Sequence, residues 1–234
     1  MKNAMKTFLK DKPAARHLAF TLVELLTVIA IIAVLASLGI VVAGRVKRTA
    51  YINKTQAEMA QVESAIENYK TDYGFYPPVN TNCPNYPFVN PLYYELAGTT
   101  NNTLANTFVT LDGSSTISTN LVISTFGIGG FINCNKVGQS MEDSRMAKNY
   151  ISGLNPNQFG TNSAGIELLV GSVGGPDPAY TPLAGSTSNP WRYRYPGINN
   201  PNSYDLWIQL VINGQTNLIC NWNSQVQINN GSAP

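Results

Sequence analysis

A long run of apolar residues near the start of the chain is the strongest pattern in the sequence. Residues 25–44 contain no charged side chain. A helix of these 20 residues spans roughly 30 Å, the hydrocarbon thickness of a bilayer. The pattern predicts that residues 20–44 form the first half of a long helix and cross a membrane.

The helical pattern continues beyond this run but becomes amphipathic. Apolar residues recur at helical spacing over 52–73, and most of the polar residues between them fall on the opposite face. Lys54 and Glu58 belong to that polar set, are four residues apart and are predicted to pair. We therefore expect residues 45–73 to form an amphipathic half of the same helix, which ends at Gly74 and packs one stripe on a globular domain.

The remaining residues, 74–234, read as a globular domain with several short elements. Short helices are predicted at 92–96 and 141–150. Segments of β-rich composition predict strands at 107–111, 121–126, 166–170, 191–195, 204–211 and 218–222. The last three are predicted to be consecutive antiparallel strands, and Asn213-Gly214 is a strong hairpin signal. The fold class is therefore α+β: a long N-terminal helix packed on a C-terminal antiparallel sheet.

Glu24 interrupts the apolar run close to its start. An ionised carboxylate at such a position costs on the order of 2.5–3.5 kcal/mol on membrane-insertion scales, so a partner is expected. No cation lies on the adjacent turns of the same helix. The nearest positive group would be a new amino terminus made by cutting before Phe20.

Charge is concentrated at the start of the chain. Residues 1–19 contain five Lys or Arg residues and one Asp, a charge of +4, and since the whole chain carries +2 the remainder carries 2 − 4 = −2. No basic surface remains that would favour nucleic acid by charge alone. The basic flank favours a cytoplasmic leader and an extracytoplasmic globular domain.

Histidine chemistry is excluded once that leader is removed. The only histidine is His17, so a chain that starts at Phe20 has no Ser-His-Asp or Cys-His catalysis and no His-ligated metal. No P-loop or G-x-S-x-G motif occurs, and we expect no enzymatic activity and no cofactor.

The three cysteines, Cys83, Cys134 and Cys220, are far apart and lack the spacing of a zinc site. In an oxidising compartment one disulfide with one remaining thiol is compatible with the sequence, as are three isolated thiols. The sequence does not select a pair.

The stretch from Ala19 to Leu26, A-F-T-L-V-E-L-L, resembles the signal of type IV prepilins and of the pseudopilins of type II secretion. The resemblance implies cleavage by prepilin peptidase between Ala19 and Phe20, and N-methylation of Phe20. It also implies that Glu24 attracts the Phe20 amine of a neighbouring subunit during assembly. The family usually has Gly before the cut, where this chain has Ala19.

Later segments are similar to the major pseudopilin of type II secretion. They are D-Y-G-F-Y-P at 72–77, N-P-W at 189–191, Y-R-Y-P-G at 193–197, Y-D-L-W at 204–207 and N-W at 221–222. That family commonly binds calcium with acidic side chains in the loop that corresponds to 213–217. No Asp or Glu follows Asp205, so no calcium is expected there. Asp205 itself is interpreted as a structural partner of Arg192 or Arg194, or as the cap of a turn.

The resemblance implies a prepilin-type filament subunit, closest to a secretion pseudopilin. Its domains would be a leader (1–19), the two helix halves (20–44 and 45–73) and a periplasmic domain (74–234). Its partners would be itself and other pilins or pseudopilins, prepilin peptidase, and the lipid and assembly platform of the inner membrane.

Other interpretations of the same residues remain. The chain could be a minor pilin of a type IV pilus, or a tethered module that binds through residues 79–185. The apolar run could also be an uncut anchor, or a secretory signal cut before Ser37. The secretory signal is disfavoured because its apolar region would be too long and would contain Glu24.

Overall fold

The computed structural model describes residues 21–136, 146–174, 189–212 and 214–228, apart from the side chains of residues 37–45. The chain divides into two compact units, Met1–Arg45 and Val46–Pro234. Its architecture is α+β, with a long N-terminal helix followed by mainly antiparallel sheets. This confirms the predicted fold class at that level.

Helix α1 (Leu22–Tyr73) extends over 52 residues without a break, as the sequence predicts. It ends because Gly74 adopts a left-handed conformation (φ 82°) and donates its N–H to the Lys70 carbonyl at 2.7 Å. Near the start of the second unit, Arg48 donates to Oδ1 of the buried Asn217 through Nε at 3.2 Å and Nη2 at 2.8 Å. These bonds fasten α1 to the C-terminal sheet.

Two further helices in the described part of the chain are short. α2 (Leu92–Ala97) agrees with the helix predicted at 92–96. α3 (Thr119–Phe126) contradicts the strand predicted at 121–126. The helical conformation is favoured over a strand because both ends of the helix are capped. Ser118 Oγ accepts the Leu121 N–H at 3.2 Å, and Gly127 adopts a left-handed conformation.

The helix predicted at 141–150 is only partly within the described residues. Residues 146–150 are not helical, so that part of the prediction is wrong, and residues 141–145 lie outside the described set. A 3-10 turn, Pro156–Gln158, follows.

Among the residues that the structure describes, two small sheets lie between α1 and the C-terminal sheet along the chain. The first has the order β3-β2-β1-β4, with β1 parallel to β4 and antiparallel to β2. Its strands are β1 (Thr99–Asn102), β2 (Thr107–Thr110), β3 (Thr116–Ser118) and β4 (Cys134–Lys136). The second, antiparallel sheet consists of β5 (Phe159–Thr161), β6 (Glu167–Gly171) and β7 (Asn189–Pro190). β2 and β6 confirm the strands predicted at 107–111 and 166–170.

The C-terminal sheet is antiparallel, with the order β11-β10-β9-β8. Its strands are β8 (Arg192–Arg194), β9 (Asp205–Ile212), β10 (Gln215–Cys220) and β11 (Asn223–Ile228). Ile212 pairs with Gln215, which leaves a two-residue connection and confirms the predicted hairpin. The three predicted strands are present, and β11 extends the sheet beyond them.

One apolar core joins α1 to these sheets. The α1 residues buried in it are Ile52, Val62, Ala65, Ile66 and Tyr69, and β9 contributes Leu206, Ile208 and Leu210. Trp191 and Tyr193 belong to the same core, and the Tyr193 hydroxyl donates to the Pro77 carbonyl at 2.8 Å. The aromatic stripe at 191–195 is therefore mainly core, with Tyr195 exposed at its end.

Candidate functional site

The first turn of α1 is a capping box built by Thr21 and Glu24. The Glu24 Oε2 atom accepts the Thr21 N–H at 2.9 Å and the Thr21 hydroxyl at 2.8 Å. In return, Thr21 Oγ1 accepts the Glu24 N–H at 3.2 Å. Such a box satisfies backbone donors that a helix start otherwise leaves unpaired.

Glu24 thus has a local partner that the sequence analysis missed. The signal was present, because T-L-V-E at 21–24 matches the S/T-x-x-E pattern of a capping box. The described residues bond the carboxylate through Oε2, which leaves Oε1 for a donor from elsewhere. Ala19 and Phe20, the other two predicted site residues, lie outside the described residues.

The helix that follows the box exposes large apolar side chains on every side. Their exposed fractions run from 46% for Val28 to 78% for Leu22. The set is Leu22, Val23, Leu25, Leu26, Val28, Ile29, Ile31, Ile32, Val34 and Leu35. A contiguous apolar surface of this kind marks a site of contact with other molecules.

Within the part of the chain that the structure describes, no helix combines the length and the apolar character needed to cross a membrane. The segment that the sequence predicts to cross, 20–44, includes residues 37–45, whose side chains are outside the described set.

Asp205 caps a turn, which is one of its two predicted roles. Its carboxylate accepts the backbone N–H groups of Ile198, Asn199 and Asn200 at 2.8–2.9 Å and the Asn199 side-chain amide at 3.1 Å. The side chain is 1% exposed. Asp205 therefore fixes the loop between β8 and β9.

A buried carboxylate forms a second polar centre at the carboxyl-terminal end of α1. Glu95 is fully buried, and its oxygens accept the N–H groups of Ile132 at 2.9 Å and Asn133 at 3.1 Å and the Tyr69 hydroxyl at 3.1 Å. Burial raises the pKa of Glu95 to about 7, although the three donors oppose this shift. Burial and the neighbouring Glu95 also raise the pKa of Tyr69.

Asn133 extends this centre toward residue 148. Its Nδ2 donates to the carbonyls of Glu95 and Lys148 at 2.7 Å, and its Oδ1 accepts the Tyr73 hydroxyl and the Lys148 N–H at 2.9 Å. The network connects α1, α2 and the segment around β4. It has the character of a structural junction, because the Asn133 side chain hydrogen-bonds to α1 through Tyr73, to α2 through Glu95 and to residue 148.

Glu58 also departs from expectation. The sequence places it on the polar face of α1, paired with Lys54, but it is 6% exposed and accepts the N–H and hydroxyl of Ser172. Only the tertiary fold brings Ser172 to this position.

The described residues contain no disulfide and no cluster of side chains that could bind a metal ion. Cys83, Cys134 and Cys220 are all free thiols, which are exposed, partly buried and buried respectively. Within the described residues, no three His, Cys, Asp or Glu side chains come together as a metal site.

Comparison with known proteins gives no match: no family model, curated protein or solved structure is significantly similar to this chain. A functional assignment therefore depends on the residues themselves.

Proposed function

We propose that this chain is a filament subunit of the pseudopilin kind, which is cut before Phe20 and assembles through α1. The observation that carries the proposal is the all-round exposure of the ten large apolar side chains between Leu22 and Leu35. These side chains form a contiguous apolar surface. Lipid would cover it before assembly, and the helices of neighbouring subunits would cover it in a filament.

Glu24 would set the direction of assembly. Oε2 remains in the capping box with Thr21, and Oε1 accepts the Phe20 amine of the adjacent subunit. A carboxylate and an ammonium group attract strongly where water is excluded. The pair would also offset the cost of a charge in apolar surroundings.

The proposal includes processing by prepilin peptidase, N-methylation of Phe20 and a single pass through the inner membrane. Residues 74–234 would then be the periplasmic domain, and other pseudopilins and the assembly platform would be partners. The segments at 72–77 and 189–222 support a secretion pseudopilus over a type IV pilus, because they resemble the secretion branch.

Two substitutions of Glu24 separate its two roles. Glu24→Ala removes both the cap and the charge, whereas Glu24→Gln keeps an oxygen that Thr21 can bond and removes only the charge. We expect both variants to insert into membranes and neither to form filaments, as measured by electron microscopy and by shearing of surface polymers. Normal filaments from Glu24→Gln would contradict the ion-pair mechanism.

The mass of the N-terminal peptide from the native host tests the processing step independently. N-methyl-Phe20 as the first residue is the expected result. A chain that starts at Met1 or Ser37 would overturn the prepilin assignment and direct the search for function to residues 74–234.

A further inference from the structure

Glu63, on α1, differs from every other acidic residue in the described part of the chain. It is half-buried, yet within that part its carboxylate accepts no hydrogen bond and forms no ion pair. Each of the other described acidic residues accepts at least one hydrogen bond; they are Glu24, Glu58, Glu67, Asp72, Glu95, Asp112, Glu167 and Asp205. Folding therefore removes part of the water around Glu63 and supplies no donor in its place.

The electrostatics around Glu63 favour a positive partner. Burial and, to a smaller extent, the neighbouring Glu67 raise the pKa of the Glu63 carboxyl group. A cation beside Glu63 would offset both effects, because it stabilises the ionised carboxylate.

Glu63 lines a groove that suits a long cationic side chain. The groove has a volume of about 260 Å³ and lies between α1 and strands β10 and β11. Met59, Ile219 and Val226 offer apolar surface to an aliphatic stem, and among the described lining residues Glu63 alone is charged. A divalent metal ion fits less well, because such ions are usually held by several carboxylates.

Arg194 is the corresponding exception among the basic residues. It lies on β8, is half-buried, and lines a separate recess together with Tyr86 and Tyr193. Its register partner on β9 is Asp205, whose carboxylate is instead bonded by the loop at 198–200. The ion pair that the sequence allows between Arg194 and Asp205 is therefore not made.

The other basic side chains that the structure describes are either bonded within the chain or exposed. Arg48, Lys70, Lys148 and Arg192 donate to Asn217, Tyr76, Asp72 and Asn189 respectively. Lys47, Lys54 and Lys136 are exposed and can remain solvated. Among these described side chains, Arg194 alone is cationic, shielded from water and without a partner.

Glu63 and Arg194 lie toward opposite edges of the C-terminal sheet. β8 is one edge strand, whereas the groove of Glu63 is flanked by β10 and by β11, the other edge strand. Adjacent strands are about 4.8 Å apart, so β8 and β11 are separated by roughly 14 Å. The described residues show no ion pair between the two groups. A second copy of the chain can supply the missing partner to both.

We propose that Arg194 of one copy enters the groove of the next copy and pairs with Glu63. Contact between two different patches is head-to-tail, and unless the rotation closes a ring it propagates into an open helical polymer. A guanidinium group has five N–H donors, so it can bond the carboxylate and the amide side chains of the groove together. Because both groups are already half-buried, folding has met part of the desolvation cost of the pair. The inference rests on the proposed filament function and adds to it a contact made by the second unit.

Cross-linking of the full-length chain in membranes tests this pair. Cys83 is an exposed thiol in the recess of Arg194, and Ser224 lines the groove of Glu63. Two differently tagged copies are co-expressed: a donor with native Cys83, and an acceptor with Cys83→Ser and Ser224→Cys. A short bismaleimide should give a dimer that carries both tags. The matched control acceptor has Thr71→Cys in place of Ser224→Cys, at an exposed α1 position outside the groove.

Charge reversal shows whether the ion pair holds this contact. Arg194→Glu in the donor should lower the yield of mixed dimer by roughly ten-fold or more. Adding Glu63→Arg to the acceptor should restore it, because the pair then forms with its charges exchanged. Glu63→Gln, which preserves the size of the side chain, should also lower the yield with the parent donor. Lys136→Glu in the donor is the matched control and should leave the yield unchanged.

The cross-link is read independently of filament formation. Equal yields with Ser224→Cys and Thr71→Cys, full yield with Arg194→Glu or Glu63→Gln, or no restoration by Glu63→Arg would overturn the proposal, even if the parent forms filaments. Loss with either single change and restoration by the exchanged pair support it. Absence of filaments in the parent would then count against the proposed function alone.

Discussion

Replacing Glu95 by glutamine should remove a large part of the pH dependence of folding. Glu95 is fully buried among backbone and hydroxyl donors, and burial raises the pKa of its carboxyl group from 4.5 to about 7. The native chain therefore binds this proton more tightly than the unfolded chain does.

The sign and size of the effect follow from this difference. Stability from Glu95 is fully present below pH 4.5 and is lost as the pH rises through about 7, because the unfolded chain releases the proton first. One pH unit corresponds to about 1.4 kcal/mol, so the free energy of unfolding should fall by about 3 kcal/mol across this window. Glutamine does not titrate and should not show this loss.

Urea unfolding of the full chain in detergent, followed by tryptophan fluorescence at several pH values, measures this effect. At each pH, the free energy of unfolding of Glu95→Gln is subtracted from that of the parent. The contributions of the other titrating groups cancel in this difference. Glu67→Gln, on the exposed face of α1, is the matched control. If the curves for parent and Glu95→Gln run parallel between pH 4.5 and 7.5, the reasoning about burial is refuted.

Four further outcomes are expected from the same chain. Asp205→Ala should lower the free energy of unfolding by about 2–4 kcal/mol in urea, because it removes the acceptor of four hydrogen bonds. Ile66→Ala should lower the free energy of unfolding by about 2–5 kcal/mol in the same assay, because Ile66 is fully buried. Lys148→Met should lower it by less than about 1 kcal/mol, because the ion pair of Lys148 with Asp72 is exposed. Mass spectrometry after brief alkylation should find Cys83 modified and Cys220 intact, and equal labelling would contradict their burial.

Elements with complete local signals were predictable from the sequence. α1 has sustained helical periodicity and a glycine directly after its last residue, and the β9–β10 hairpin has the Asn213-Gly214 turn. In each case propensity, periodicity and turn chemistry agree. The capping box at Thr21 was equally readable, because it depends on spacing alone.

Other features depend on contacts between distant residues. In α3, β-branched and aromatic residues suggest a strand, but Ser118 and Gly127 at its ends, and the burial of Val122 and Phe126 on one helical face, decide for helix. The residues next to Glu95 in the sequence do not indicate that the backbone N–H groups of residues 132 and 133 will donate to its carboxylate. Contacts of this kind are determined by tertiary packing, and the periodicity of the sequence does not predict them.

The bonds between Arg48 and Asn217 have a mechanical consequence. A pull on the chain at Val46, directed along α1, would reach these bonds before it reached Ile52 and the buried stripe that follows. That stripe extends over residues 52–73, about 30 Å of helix, so tension would be shared as shear among many contacts. The Arg48–Asn217 hydrogen bonds would bear the load first and would resist the separation of α1 from the C-terminal sheet that begins at this end of the contact.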